Sequence, residues 1–359
     1  METTTIKICG DTDVRLRHIK TDKPFLVDVP VRVAVWIRPE NQRKQFEILK
    51  QARPSILFVT SDGGRNEKEW AAIRENRKMF EEEIDWCCDA YFLFEDHNNG
   101  LYTMGGKCRE LIWSVTDRCI FLEDDILPAI SFFQYCAELL ERYKDDTRIS
   151  TICGMNHLGT YEEPQSDYFF SRQGAVWGTA TWKRVHDMRD GIHYGNDPYV
   201  MKLLRQRTRH NQTFWDKIVG YTKDGMYDGH VPGGEFYSEF AMYGHNQLKI
   251  IPKRNMICNI GCDDNSAHAK GYRYFPKVVK QLFHMKTYEL DGEIKHPKYV
   301  IPDVFYEKKR NHIMAYNDKT ASMMRNIECT WLRLKYDGPF KWIAGVLKRR
   351  FRRKKVIEK

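Results

Sequence analysis

A run of three acidic residues is the part of this sequence with the clearest chemical potential. Glu123, Asp124 and Asp125 directly follow the short apolar segment 119–122, which has the composition of a buried strand. Open α/β sheets bind ligands at the carboxyl ends of their strands, so acids at such an end face a crevice. Carboxylates there suit Mg²⁺ or Mn²⁺, which bind through one or two of them and through water and phosphate oxygens. The alternative is a solvated turn before a helix, where the helix dipole favours acids.

The elements that must position these acids alternate between strand-like and helix-like segments. The predicted strands cover 31–37, 55–60, 90–94, 119–122 and 149–153. The predicted helices between them cover 39–50, 66–84, 107–115 and 128–143. This alternation predicts an α/β fold with a Rossmann-like, mostly parallel sheet flanked by helices. No strand is followed by GxGxxG or GxxxxGK[ST], so we do not expect a glycine loop that binds NAD or ATP.

The rest of the chain is less regular. A helix is predicted over 179–187, a further helix over 235–244 and a strand over 248–251. Segment 189–234 is polar, aromatic and rich in His, Arg and Gly, and we interpret it as a lid over the crevice. The predicted organisation is therefore an N-terminal extension over 1–29, a catalytic domain over 30–270, a helical or irregular C-terminal extension over 271–340 and a basic tail over 341–359.

Composition indicates a globular chain. The 359 residues are 42% hydrophobic and 13% aromatic, far from the composition of disordered chains. No apolar stretch approaches the roughly 20 residues of a membrane span, and the first twenty residues contain no apolar signal region, so we expect a cytoplasmic protein. The ten cysteines include no CxxC pair, which is typical of reduced thiols. Cys258, Cys262 and His268 would permit a zinc site, but the lack of a second cysteine pair argues against it.

Positive charge is concentrated at the carboxyl terminus. Residues 341–359 contain nine Lys or Arg and one Glu, a net +8 of the formal +9 of the whole chain. Apolar residues are interleaved with these charges, which predicts a basic amphipathic helix on an anionic membrane surface, the inner face of the membrane. A disordered solubilising tail is the alternative. A nucleic-acid-binding domain would spread its charge over a folded face, so no nucleic-acid partner is expected.

Several motifs in chain order resemble those of nucleotide-diphospho-sugar transferases. They are the strand 31–38 with the following Pro-Glu-Asn-Gln, Thr60–Gly63, Phe121–Asp125 with Pro128 and Phe132-Phe133, and Ile152–Asn156. Over about residues 30 to 270 the chain is similar to glycosyltransferases of the A-type fold, near the β-1,2-N-acetylglucosaminyltransferase branch and related bacterial polysaccharide-synthesis enzymes. The resemblance implies transfer of a sugar, a hexose or N-acetylhexosamine, from a nucleotide-diphosphate donor, with a UDP-sugar favoured, to a saccharide or lipid-linked saccharide, with inversion.

The resemblance also implies a metal site. A Mn²⁺ or Mg²⁺ ion offsets the charge that develops on the departing diphosphate. Asp125 matches the direct metal ligand of the family, and Glu123 and Asp124 would contact the ribose or orient the waters of the metal. His268 falls where related enzymes carry a histidine near the diphosphate or the metal, although a lone histidine is more often structural.

Four further residues are candidates for binding the donor. Asp62 resembles the acid that accepts a hydrogen bond from the base, and Arg38 is placed to line the nucleotide pocket. The alternatives are an Asp-Gly turn for Asp62 and a solvated residue at a helix start for Arg38. Lys107 and Arg109 are candidates to bind phosphate, or else ordinary residues of a first helical turn.

An inverting transferase needs a base that takes the proton of the acceptor hydroxyl. Related sequences carry an Asp at the start of the helix after the lid, and Glu235 falls at that position with a side chain one methylene longer. Glu239, one turn later, is the second candidate. The alternative for Glu235 is an acid that only favours the helix dipole.

Two other functions stay open at this point. A sugar nucleotidyltransferase uses a related sheet and metal, but it needs a glycine-rich loop with Arg or Lys after the first strand, which Arg38-Pro-Glu-Asn lacks. A catalytically silent protein whose tail engages a membrane or nucleic acid is the alternative from another class.

Overall fold

The computed structural model of the chain describes residues 3–8, 12–189, 197–209, 234–262 and 272–357, with the side chains of 234–237 and 341–357 left out. The strands in chain order are β1 Thr3–Ile8, β2 Thr12–Ile19, β3 Val27–Val35, β4 Pro54–Ser61, β5 Cys88–Phe94, β6 Arg118–Leu122, β7 Ile126–Pro128, β8 Ile149–Cys153, β9 Tyr168–Ser171, β10 Thr179–Trp182, β11 Leu248–Pro252 and β12 Ile257–Asn259. The helices are α1 Pro39–Ala52, α2 Glu67–Glu82, α3 Leu101–Val115, α4 Ser131–Arg142, α5 Lys183–Asp187, α6 Pro198–Arg207, α7 Gly234–Gly244, α8 Lys277–Lys280, α9 Val304–Met314 and α10 Lys319–Ile357.

A ten-stranded sheet forms the centre of the molecule, in the order β1-β2-β5-β4-β3-β6-β10-β8-β11-β9. Its middle strands β5, β4, β3 and β6 pair in parallel. The antiparallel pairings of β10 with both β6 and β8 leave β8 and β11 running in the same direction as these four. The sheet is therefore mixed and mostly parallel in strand direction, and the predicted Rossmann-like α/β fold is confirmed.

Helices cover both faces of this sheet because its central strands are apolar on both sides. One face packs Val31, Val33 and Ile120 against α1, α2 and α4, where Phe46 and Phe132 are fully buried. The opposite face carries a second core beneath α3. Burying one such side chain contributes about 1.5–3 kcal/mol, so this packing stabilises the strands that lead to the acidic turn.

The starts of three predicted helices are wrong, and one of them is the start of α3, which begins at Leu101 and not at 107. Thr179–Trp182 is the strand β10, since its β-branched and aromatic residues fit between the edges of β6 and β8. Pro128 ends the strand β7, which pairs with β12, and α4 begins only at Ser131. Residues 3–8 and 12–19, placed in an N-terminal extension by the sequence, add the strands β1 and β2 to the same sheet.

The carboxyl-terminal region is helical. α10 is interrupted at Gly338, whose φ of 76° and ψ of 164° lie outside the helical region, and Pro339 restarts the helix. The backbone of the basic tail is helical as far as Ile357. Within the described part of the chain, no helix is both long and apolar enough to span a bilayer.

Candidate functional site

The acidic turn and Arg38 meet at the carboxyl edge of the sheet. Asp124 and Asp125 follow β6, while Arg38 follows the neighbouring parallel strand β3 and is fixed by Pro39, the first residue of α1. The Nη1 atom of Arg38 lies 3.2 Å from Oδ2 of Asp125 and 3.5 Å from Oδ2 of Asp124. The structure thus brings together three residues that the sequence predicted for one site, and Arg38 is buried rather than solvated.

Burial gives this pair of carboxylates unusual electrostatics. The side chain of Asp124 is 16% exposed, and its burial raises the pKa of its carboxyl to about 6, an effect that Arg38 opposes and the negative charge of Asp125 reinforces. Oδ2 of Asp124 is buried and accepts no hydrogen bond from the residues that the structure describes. A further cation at this position would therefore stabilise the charged form of the pair.

Two glutamines of α1 hold the acidic turn, and sequence reasoning missed both. Nε2 of Gln45 donates hydrogen bonds to the backbone oxygens of Glu123 at 2.7 Å and of Ile126 at 2.8 Å. Gln42 donates to Oε1 of Gln45 at 2.8 Å, which fixes the orientation of that amide. Both glutamines lie on the buried face of α1 together with Phe46 and Leu49. Two polar residues on an otherwise apolar helix face need buried hydrogen-bond partners, and this feature of the sequence could have identified them.

The end of β12 passes directly over Asp125. The backbone N–H of Ile260 donates a hydrogen bond to the backbone oxygen of Asp125 at 2.9 Å. A Cβ atom at Gly261 would lie 1.9 Å from Oδ2 of Asp125, so only glycine allows this approach. The chain then enters residues 263–271, which include His268 and lie outside the described residues. The role of His268 stays a prediction.

Asp62 has structural partners at the end of β4. Its Oδ1 accepts hydrogen bonds from the backbone N–H groups of Gly63 at 3.0 Å and Asn99 at 2.9 Å. Its Oδ2 accepts one from the N–H of Gly100 at 2.9 Å. These bonds fix the start of α3 at Leu101, earlier than the sequence predicted. A contact between Asp62 and a nucleotide base stays a prediction.

Arg77 of α2 joins the ends of β4 and β5, and sequence reasoning gave no sign of it. Its guanidinium donates to the backbone oxygens of Ser61, Asp62 and Glu95 at 3.2, 3.1 and 2.7 Å. Burial lowers the pKa of Arg77 to about 10. Arg77 therefore positions the loop that follows each of these two strands.

The two predicted phosphate ligands on α3 have different surroundings. Nζ of Lys107 lies 2.6 Å from Oε1 of Glu95, in a largely buried ion pair. Arg109 is close enough to Arg189 and His186 to lower the pKa of both, although burial is the larger cause. The pKa of His186 falls to about 4 and that of Arg189 to about 10.

The two candidate bases lie on α7. Glu235 is its second residue, and the side chain of Glu235 is not described. Oε1 of Glu239 is 3.4 Å from Nζ of Lys249, and the side chains are 29% and 7% exposed. Glu239 therefore has a structural ion-pair partner at the edge of the core. Of the predicted lid, residues 190–196 and 210–233 lie outside the described residues.

Two carboxylates match the donor set of a divalent ion. Mg²⁺ and Mn²⁺ commonly bind through one or two carboxylates, with water and substrate oxygens at the other positions. Among the residues that the structure describes, no group of three or more His, Cys, Asp or Glu side chains is arranged around a metal position. Within the described residues, Asp124 and Asp125 are therefore the two candidate ligands of such an ion.

Comparisons with known proteins give remote likenesses. No family model and no curated protein matches the chain. A mannosyltransferase from Pyrobaculum calidifontis, solved with GDP-Man and Mn²⁺, is 11% identical, with 64% of this chain and 72% of that chain covered and a TM-score of 0.33. Mouse xyloside xylosyltransferase 1, in its apo form, is 13% identical, with 77% and 100% covered and a TM-score of 0.32. Likenesses of this size carry no inference about the present chain.

Proposed function

We propose that this protein is a metal-dependent glycosyltransferase that moves a sugar, a hexose or N-acetylhexosamine, from a nucleotide-diphosphate donor, with a UDP-sugar favoured, to the hydroxyl of a saccharide or lipid-linked saccharide. The observation that carries the proposal is the largely buried pair Asp124 and Asp125 beside Arg38. The pair lies at the edge where open α/β sheets bind their ligands. Cell-surface polysaccharide synthesis is the process that we propose for it.

Asp124 and Asp125 are the residues that would hold Mn²⁺ or Mg²⁺. The fit rests on the buried Oδ2 of Asp124, which accepts no hydrogen bond from the described residues, and on the preference of these ions for carboxylate oxygens. When bound, the ion would offset the negative charge that develops on the departing diphosphate. Arg38 keeps both carboxylates in place and limits their mutual repulsion.

Other residues of the chain would bind the donor around this pair. Glu123 is exposed beside Asp124, where it can reach a ribose hydroxyl. Arg109 and Lys107 supply cationic groups on α3 for phosphate oxygens, and Arg109 has further positive charge nearby in Arg189. Asp62 would contact the base at the end of β4.

Glu235 is our choice for the base that takes the proton of the acceptor hydroxyl in an inverting transfer. Its position at the start of α7 supports this role. Glu239 is the weaker candidate because its carboxylate is paired with Lys249. His268 would complete the metal or diphosphate site, and segment 189–234 would close over it.

A thermal-shift screen tests the proposal. UDP, GDP, CMP and dTDP are added with and without Mn²⁺ to the wild type, to Asp125→Asn and to Glu141→Gln, a control at an exposed acid. A ligand at a hundredfold excess over its dissociation constant stabilises the folded state by about 2.7 kcal/mol. We expect a metal-dependent shift with one nucleotide in the wild type and the control, and none in Asp125→Asn.

The opposite result would favour the catalytically silent alternative. If no nucleotide shifts the unfolding temperature of the wild type, the transferase proposal loses its support. If Asp125→Asn responds as the wild type does, the acidic turn is not the binding site. A sugar nucleotidyltransferase would instead bind a nucleoside triphosphate, which the same screen detects when UTP and GTP are included.

A further inference from the structure

A stripe of large apolar side chains faces solvent along the first half of α10. Met323, Ile327 and Trp331 are 58%, 57% and 56% exposed, and they recur every four residues, so they share one side of the helix. Met324 and Leu334 extend the stripe at 59% and 37% exposure. A surface helix normally presents polar residues to solvent, so this apolar side indicates an interaction surface.

The other side of α10 is attached to the body of the protein. Glu328 accepts a hydrogen bond from the backbone N–H of Lys277 at 2.7 Å, and Asp337 accepts one from the hydroxyl of Tyr274 at 2.5 Å. Leu332, midway between them, is buried. These contacts fix the rotation of the helix, so the apolar stripe cannot turn inward without breaking them. Met323, Ile327 and Trp331 themselves line one wall of an open groove of about 1090 Å³, and the turn 315–318 lines the other wall.

The same helix leads into the most basic segment of the chain. After the interruption at Gly338, the backbone is helical again to Ile357, and residues 341–359 carry a net charge of +8. Phe340, immediately after the interruption, is 86% exposed. Apolar residues at 343, 347 and 351 continue at intervals of three or four. An exposed apolar stripe and a dense positive charge therefore follow one another along the chain, on the two sides of the interruption at Gly338.

We propose that α10 binds the surface of a bilayer that contains anionic lipid. The stripe at Met323, Ile327 and Trp331 enters the headgroup region, and the basic residues after position 340 contact lipid phosphates. A second copy of the chain is the competing occupant, but pairing two helices would bring two segments of net charge +8 together. Charge complementarity therefore favours the anionic surface. This inference extends the predicted role of the tail to residues 319–340, and it holds or fails independently of sugar transfer.

Vesicle co-sedimentation tests the inference with the full chain. The vesicles consist of phosphatidylcholine alone or of phosphatidylcholine with phosphatidylglycerol. The variants are Ile327→Gln/Trp331→Gln in the stripe and Lys348→Gln/Arg349→Gln/Arg350→Gln in the tail. Gln51→Ala, an exposed polar position on α1 and not on α10, is the control.

We expect the wild type and the control to bind only the anionic vesicles. Each cation near the surface contributes roughly fivefold to affinity, so the tail variant should bind about 100-fold more weakly. The stripe variant should bind about tenfold more weakly, because it loses apolar area that enters the headgroup region. Added salt should weaken wild-type binding, since it screens the charges.

Three outcomes would overturn the inference. The first is equal binding to neutral and anionic vesicles. The second is unchanged binding by the stripe variant, which would leave the tail as the whole membrane contact. The third is a dimer in light scattering that the stripe variant abolishes, because a second copy would then cover the stripe. Thermal unfolding of each variant tests whether a loss of vesicle binding comes from misfolding. The substituted stripe positions are exposed, so we expect these substitutions to leave the fold intact.

Discussion

The acidic turn after β6 and the outer side of α10 depart from ordinary protein surfaces in opposite ways. The turn largely withdraws two carboxylates from the water that would otherwise solvate them. By contrast, α10 exposes methionine, isoleucine and tryptophan side chains that a core would otherwise bury. The first arrangement costs free energy unless cations and hydrogen-bond donors surround it. The exposed side chains of α10 cost little free energy of folding, but they leave apolar area that a partner can cover. Substitutions should therefore affect stability and ligand binding at the turn, and chiefly partner binding at α10.

The largest effect on stability should come from the titration of Asp124. Its folded-state pKa of about 6 lies above the unfolded value of about 3.9, so the folded state binds more protons between these values. Stability should fall by roughly 3 kcal/mol as pH rises from about 4 to above 6, and then level off. Denaturant unfolding across this range, in buffer without divalent ions, measures the fall. Asp124→Asn should remove most of this dependence of stability on pH. An equally steep fall in that variant would show that Asp124 is not the group that titrates.

Gly261→Ala should come next. Its new Cβ would meet Oδ2 of Asp125 at 1.9 Å and Cβ of Asp125 at 2.9 Å, so the turn or β12 must move. We expect a loss of about 1–3 kcal/mol of stability together with loss of the metal-dependent nucleotide shift. Gly106→Ala is the matched control, because a Cβ there meets no atom within 4 Å. The control should gain up to about 1 kcal/mol, since alanine favours the helix α3. Equal unfolding midpoints for the two variants would argue against a tight contact over Asp125.

Gln45→Ala should destabilise the protein by an amount in the same range. It leaves the backbone oxygens of Glu123 and Ile126 without the donor that now binds them, at a cost of about 1–3 kcal/mol. Gln51→Ala, an exposed position on the same helix, should change stability by less than about 0.5 kcal/mol. Chemical denaturation compares the two. A result in which both variants behave alike would mean that α1 does not hold the turn.

The smallest effect on stability should occur at the apolar stripe. Ile327→Gln changes a side chain that is 57% exposed, so the free energy of unfolding should stay within about 0.5 kcal/mol of the wild type. Leu332→Gln, on the attached side of the same helix, should cost several times more because Leu332 is buried. Thermal melts of both variants measure this difference. A large destabilisation by Ile327→Gln would show that the stripe is covered within the protein itself.

Much of the fold could be predicted because it depends on local patterns. The runs 55–60 and 149–153 are apolar over the length of a strand, and β4 and β8 lie there. Thr179–Trp182 could not be predicted in this way, since a short mixed segment becomes a strand only where two strand edges accept it. Of the candidate site, the proximity of Asp124, Asp125 and Arg38 at one edge was expected, while their roles stay predictions. Gln45, Arg77 and Gly261 were not predicted, because each acts on a turn distant in sequence.

The sequence by itself determined the alternation of strands and helices, the position of three acids after an apolar strand and the concentration of positive charge at the carboxyl terminus. These are properties of neighbouring residues, and hydrophobic periodicity reports them directly. Only the tertiary structure decided that Gln45 and Gly261 lie against the acidic turn, that burial raises the pKa of Asp124, and that the apolar side of α10 faces outward. Each of these depends on which groups pack together across the chain, and on how much water that packing excludes.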